Sequence, residues 1–375
     1  MVVMNIRINN LLLFHDFEMT MSYPKKIVSS TIPEEHLSER PNFRYKKLIV
    51  LMGANATGKT ALGKVLMGIF NFITRRNIDH ISKLIDDASK EAFFEIDLAF
   101  PSNELYRVST VIRAPLGEKR EYLISDVSVE VRSEPILKTD NYERCVERIK
   151  KREPIAADSY IEALSCVPDL TWHFEFPYAS DDKHRAIKPL DQKLYRDILE
   201  KTLQALDPRI QRVTTVSNVE NTYLIEREHD VILMKDGEFI NPEQLSSGTK
   251  DGIGIADIVS SMKLRAYSFN YCDEKFSHIH SDMEKAFLSL FVELLGPNEQ
   301  MIFTSHNSDI LNMNLPKHTF AFLRRDPEDQ MVSCVYASDY LKKNTDSIKN
   351  AVENDVFASA PDLQRIYEIE EMKSA

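Results

Sequence analysis

"LIVLMGANATGKTALGKVLMGIF", residues 48–70, changes character twice. Leu48–Met52 is a short, wholly apolar run, the pattern of a parallel strand buried on both faces. Gly53-Ala54-Asn55-Ala56-Thr57-Gly58-Lys59-Thr60 then fits G-x-x-x-x-G-K-[ST]. Beyond it Leu62, Val65, Leu66 and Ile69 recur at helical spacing. A strand, a glycine loop and a helix in that order let backbone N–H groups converge on phosphate oxygens without Cβ clashes. The helix adds the positive end of its dipole. In this reading Gly53, Asn55, Ala56, Thr57 and Gly58 form the cradle, Lys59 reaches the β- and γ-phosphates, and Thr60 offers its hydroxyl to Mg²⁺. A chance glycine–lysine turn explains neither the strand before nor the helix after.

A second glycine cluster lies almost two hundred residues later. "QLSSGTKDGIG", residues 244–254, holds three of the chain's ten glycines, and four more sit at Gly53, Gly58, Gly63 and Gly68. The segment follows a hairpin pattern, "VILMKDGEFI", with Asp236-Gly237 at its turn. It precedes an apolar-periodic stretch through Ile253, Ile255, Ile258 and Met262. Ser246-Ser247-Gly248 is therefore expected at a helix N-terminus, suited to phosphate but equally to an ordinary serine cap. Downstream, "YCDEKFSHIHSDMEKAF" places Asp273-Glu274 at the end of a strand, and "QMIFTSHNSDIL" ends a second strand near His306.

This order resembles the ATP-binding-cassette class of P-loop ATPases, and within it the SMC/Rad50/RecF and OLD-like branch. Asn55 fits that branch's G-x-N-x-x-G-K-[ST] loop, "LSSGT" its signature, and "DEKFSHIH" its acidic pair and following turn. The tail "SIKNAVENDVFASAP" weakly resembles a segment that closes many standalone OLD-like ATPases. The resemblance implies an α/β head with a mixed parallel core sheet and an antiparallel subsheet. It also implies two nucleotides sandwiched between two heads, each signature facing the other's P-loop. By that carry-over Ser246, Ser247 and Gly248 meet the γ-phosphate across a homodimer or higher-oligomer interface. Asp273 joins Thr60 in holding Mg²⁺, Glu274 polarises the attacking water as general base, and His306 senses the γ-phosphate.

Several residues depart from the pattern. No glutamine occurs between Thr60 and Pro135, which disfavours a transporter head. Lys275 stands where the family usually has proline, and the strand before Asp273 carries Ser268 and Asn270, polar for a central strand. Both departures imply slow or partner-dependent hydrolysis. The spacing of His278 and His280 admits a metal site, but no nearby cysteine or further histidine completes one, and a contact with the partner head is the stronger reading. Ser281 and Glu284 read as a capping box for the next helix, whose apolar stripe of Met283, Phe287, Leu290, Phe291 and Leu294 is core.

The remaining chain reads as a head with an insertion. Strands are expected over 4–21, 47–52, 92–100, 105–113 and 121–132, with a polar insertion at 22–46 and strands resuming near 212. Residues 1–139 and 210–375 form the ATPase domain, and 140–209 a small helical insertion with no room for long coiled coils. The last forty residues read as helical. Arg144, Arg148, Lys150, Lys151 and Arg152 are interleaved with Glu143, Glu147 and Glu153, which favours a solvated helix face over a nucleic-acid contact.

Net charge is −11, which argues against a nucleic-acid-coating protein. Four scattered cysteines without a C-x-x-C pair, an N-terminus that reads as a strand and the lack of an eighteen-residue apolar run fit a cytoplasmic protein without membrane contact. Too few residues follow His306 for an OLD-type nuclease domain, so the chain reads as the ATPase alone. Standalone ATPases of this type resemble regulator components of bacterial two-gene anti-phage systems such as PARIS, whose effector is a separate TOPRIM-type protein. The expected function is an ATP-driven, magnesium-dependent assembly switch that controls a separate effector, with a phage trigger. The alternative is a RecF-like, DNA-binding repair clamp, and a catalytically idle scaffold is a further one.

Overall fold

Leu48–Met52 forms β5, and all five residues are buried. The reason is that β5 is covered on both faces. Ile49 and Leu51 face one hydrophobic core, whereas Leu48, Val50 and Met52 face another. The computed structural model describes residues 1–28, 30–115, 122–177, 191–216, 219–240, 245–343, 345–360 and 367–369. β5 lies inside a six-stranded sheet of order β17-β16-β5-β15-β14-β9, formed with β9 (Trp172–Glu175), β14 (Phe269–Asp273), β15 (Gln300–Thr304), β16 (Phe320–Arg325) and β17 (Val332–Tyr336). The pairings of β16 with β5, β5 with β15, β15 with β14 and β14 with β9 are parallel, and β17 closes one edge antiparallel.

A second sheet is antiparallel, with order β2-β1-β6-β7-β8: β1 (Val2–Asn9), β2 (Phe17–Thr20), β6 (Ala92–Phe100), β7 (Glu104–Ile112) and β8 (Val127–Pro135). The last strand starts later than its sequence pattern suggests, because Ile124–Asp126 forms a 3₁₀ turn closed by Asp126 on the Leu123 N–H. Helix α1 (Lys59–Arg75) packs Leu62, Val65, Leu66, Ile69, Phe70 and Phe72 into the core that joins the two sheets. The segment 22–46 carries a two-stranded ladder, β3 (His36–Leu37) with β4 (Arg40–Arg44). After α1 comes the short α2 (Asp79–Ser82).

Residues 140–209 hold α3 (Tyr142–Ile149), α4 (Tyr160–Ser165), α5 (Gln192–Leu206) and the strand β9, which lengthens the parallel sheet. The stretch "YASDDKHRAIKPLD", residues 178–191, reads as a polar loop, and 178–190 of it lie outside the described residues. The basic cluster is partly committed: Arg148 on α3 pairs with Glu134 and Asp140, and Arg152, in the turn after α3, pairs with Glu134. A third sheet, β10 (Ile210–Thr215), β11 (Thr222–Arg227), β12 (Val231–Lys235) and β13 (Glu238–Phe239), packs on α5 and α6 (Ser247–Lys263). Its last turn is the expected Asp236-Gly237 hairpin, with both residues at positive φ. Helix α7 (Ser281–Leu294) and the short helices α8 (Ala337–Tyr340) and α9 (Ile348–Glu353) complete the other core. Among the described residues no helix is long and apolar enough to cross a membrane.

The two larger sheets are stapled by one buried amide. Gln300, at the start of β15, accepts from the Val3 N–H at 3.0 Å and donates to the Val3 and Lys46 carbonyls at 3.1 Å each. Gln300→Leu would strand these buried backbone groups. We expect it to lower the unfolding free energy by about 3 kcal/mol, read from urea titration. An unchanged midpoint would show that the sheets hold together without the staple.

Candidate functional site

Three strand ends meet at one edge of the parallel sheet. β5 runs into the glycine loop, β14 ends at Asp273, and β15, between them, ends at Thr304. The carboxyl ends of parallel strands are the ordinary place for a ligand site.

The glycine loop turns sharply. Gly53 has φ +150°, and a Cβ there would stand 2.5 Å from the Leu323 carbonyl oxygen. Gly58, at φ +106°, takes the N-cap position of α1, whose first turn carries no acidic residue to oppose its dipole. Thr57 closes the loop by donating its hydroxyl to the Ala54 carbonyl at 2.8 Å. Asn55 and Ala56 stand exposed at its tip. Lys59 is buried inside the loop. Its Nζ donates to the Gly53 and Ala54 carbonyls at 2.9 and 3.2 Å and lies 3.5 Å from Glu274 Oε1. Burial lowers its pKa, against the raising effect of Glu274.

Thr60 donates its hydroxyl to Asp273 Oδ2 at 2.6 Å, and Thr304 donates to Asp273 Oδ1 at 2.8 Å. Asp273 is fully buried, and desolvation pushes its carboxyl above the usual range despite those two bonds. The Thr304 hydroxyl also accepts the Glu274 N–H at 2.9 Å. Glu274 adopts φ +46°, an uncommon conformation for a non-glycine residue, and its Oε1 lies 2.8 Å from His306 Nε2. That bond, with His306 and Lys59 beside it, holds Glu274 below the usual range.

The expected residues of the glycine loop, the acidic pair and His306 are thus brought together. The signature segment is not. Ser246 caps α6 by accepting the Thr249 N–H at 3.1 Å, as its residue type suggests. Ser247 is exposed at the first position of α6. Gly248 packs against the His278 carbonyl, 3.0 Å from where a Cβ would sit. Among the described residues no hydrogen bond or ion pair joins Ser246, Ser247 or Gly248 to the glycine loop.

Other expectations change. His278 turns to Asp251, Nδ1 to Oδ2 3.1 Å, and His280 caps α7, so the two histidines do not share a ligand. The capping box at Ser281 and Glu284 does not form. Ser281 donates to Asp309, and buried Glu284 accepts from the Ser305 hydroxyl at 2.6 Å and the Asn307 amide at 2.7 Å. Glu284 thereby fixes the residues on either side of His306. With Glu274, His306, Ser281 and Asn307 it lines a cleft of about 280 Å³. Nothing in the sequence marked Glu284 or Thr304 for these tasks, since neither belongs to a local motif. Ser268 lies outside β14, and Asn270 is buried within it, its side-chain amide without a hydrogen-bond partner among the described residues.

The donor set fits a divalent cation. A hydroxyl and a desolvated carboxylate already meet, and hard oxygen ligands with few protein groups suit Mg²⁺. The raised pKa has a measurable consequence. A carboxyl raised in the folded state contributes stability at low pH and loses it as pH rises through the folded value. Asp273→Asn has no such loss. Without nucleotide or metal, the variant's melting temperature should gain on the wild type's as pH rises from about 4 to 8. A variant that instead falls behind would contradict the desolvation account.

The sequence matches the family model described as "AAA domain, putative AbiEii toxin, Type IV TA system" over residues 48–312. No curated protein matches it. Among solved structures, the SmcHead bound to the C-winged helix domain of ScpA is 13% identical, with 94% of this chain and 100% of that chain covered and a TM-score of 0.52. The Smc head domain with an extended coiled coil bound to the C-terminal domain of ScpA, derived from Pyrococcus furiosus, is 11% identical, with 94% and 98% covered and a TM-score of 0.48. The first of these likenesses shows the fold, a P-loop ATPase head with a mixed parallel sheet and antiparallel sheets.

Proposed function

The chain belongs to this AAA-domain family of P-loop ATPases, and from that premise we propose that it is an ATP-hydrolysing switch whose sandwich assembly controls a separate effector. The observation that carries the reading is the split geometry. Lys59, Thr60, Asp273, Glu274 and His306 converge within one chain, while Ser246–Gly248 stand apart from them at the exposed start of α6. A second copy would bring its own Ser246–Gly248 to the site. Only the assembled form would then be complete, so nucleotide binding would shift the population towards assembly.

In this reading the backbone of Gly53–Gly58 and the N-terminus of α1 bind the phosphates, and Lys59 gives up its carbonyl partners to neutralise them. Thr60 and Asp273 are the groups that would hold Mg²⁺, which supplies positive charge against the phosphate oxygens. Glu274 takes the proton of a water whose oxygen attacks the γ-phosphorus, giving ADP and phosphate. His306, bonded to that carboxylate, orients it and meets the γ-phosphate. Residues 1–139 and 210–375 form the ATPase body, and 140–209 form an insertion that lends β9 to the sheet.

The wider role we propose is in bacterial anti-phage defence, inside the cell, as the ATPase partner of a nuclease effector in the manner of PARIS-type systems. The family description, which names a toxin of a toxin–antitoxin system, is compatible with a defence setting. Lys59→Ala should lose nucleotide binding and assembly. Glu274→Gln should bind ATP, fall at least about a hundredfold in turnover, and accumulate as the closed assembly by mass in solution. Normal turnover in Glu274→Gln would remove Glu274 as base. Co-purification of the trapped form with a neighbouring gene's product would identify the effector. A DNA-retaining homodimer would favour the repair clamp instead.

A further inference from the structure

The residue that follows Glu274 is a lysine, and it is buried. Lys275 Nζ donates to the Phe176 carbonyl at 3.0 Å. It also lies 3.5 Å from Glu175 Oε2 on β9 and 3.8 Å from Asp251 Oδ1 on α6. Its stem crosses α6 at Gly254, where an added Cβ would collide with Lys275 Cε and lie 2.6 Å from Glu175 Oε2. Gly254 is the gap that lets this lysine reach its partners. The third glycine of the second cluster is thereby explained by packing rather than by phosphate.

Asp251 has a second task. Its Oδ2 lies 3.1 Å from His278 Nδ1, so one carboxylate on α6 holds both Lys275 and His278. The His278 carbonyl in turn rests on Gly248. The first two turns of α6 therefore grip residues 275–278 at Gly248, Asp251 and Gly254. Glu274 begins this turn, in its left-handed conformation, with its N–H on Thr304 and its carbonyl accepting the Ser277 N–H at 3.2 Å. Its side chain meets His306 and Lys59 on the other side.

We propose that Lys275 is a positioning residue that ties the signature helix α6 to the base Glu274. A buried ammonium between two carboxylates cannot be left behind when one of them moves, because an uncompensated buried charge is strongly unfavourable. A displacement of α6 caused by contact at Ser246–Gly248 is carried through Asp251 to Lys275 and to the Glu274 backbone beside it. Packed elements transmit small shifts in this way because they do not deform continuously. Engagement of the signature thus sets the orientation of the base. The inference rests on the ATPase reading above.

A purely stabilising ion cluster is the competing account, and a compensated variant separates the two. Lys275→Met alone removes the ammonium that lies between Glu175 and Asp251 and is expected to fold poorly. Lys275→Met with Glu175→Gln removes one charge of each sign and leaves Asp251 on His278. The double variant should melt close to the wild type and keep its KM for ATP within about twofold, while kcat falls by about tenfold or more. Amide exchange across residues 274–279 should accelerate. Wild-type kcat and wild-type exchange in a stably folded double variant would overturn the proposal. Absence of turnover in the wild-type protein would count against the ATPase reading, and the exchange of 274–279 would still decide the tie between α6 and Glu274.

Discussion

The Thr304 hydroxyl is the contact on which the site depends. It donates to Asp273 and accepts from the Glu274 backbone, so one side chain at the end of β15 sets both acids. That contact is available because β15 pairs in parallel with β14 and β5, with Thr304 opposite Asp273 on one side and Leu51 on the other. A slip of one residue in either pairing would turn the facing side chains to the opposite face of the sheet. The apolar content of β5, β14 and β15 is therefore more than core filling. It fixes the register that brings Thr60, Asp273 and Glu274 into reach of one another.

The site's electrostatics follow from that arrangement. Desolvation raises Asp273 and lowers Lys59, and both effects disfavour their charged forms. Glu274, less buried and bonded to His306, is held ionised. Two adjacent carboxylates in different surroundings suit two roles, one facing a cation and one facing a proton. The glycine loop's backbone groups and α1's N-terminus add positive potential at the same edge.

Much of this was legible in the sequence, and the legible parts share one property. The glycine loop, β5, α1 and the Ser246 cap are local patterns, in which neighbouring residues specify the geometry. The strands β6 and β7 are legible from composition in the same local way, being rich in aromatic and β-branched residues. What was not legible depends on partners far apart in the chain. Glu284 looks like a capping residue until Ser305 and Asn307 are found beside it. Lys275 looks like a lost proline until Gly254, Asp251 and Glu175 surround it. β9 lies in a helical-looking segment, and only its pairing with β14 makes it a strand. Gln300, polar at the head of an apolar strand, gives no sign that it joins two sheets.

The central claim is that a complete site needs two chains, and a mixing experiment addresses it directly. Lys59→Ala removes the phosphate lysine from one population, and Ser246→Arg blocks the start of α6 in another. Each variant alone should be inactive. If sites are shared, a mixed pair holds one intact site, built from the Lys59 of one chain and the Ser246–Gly248 of the other. Turnover should then reappear on mixing, at no more than about half the wild-type rate per chain, because a mixed pair holds one intact site where the wild-type pair holds two. A mixture as inactive as its components, with mixed assemblies shown to form, would place the whole site within one chain and contradict the account.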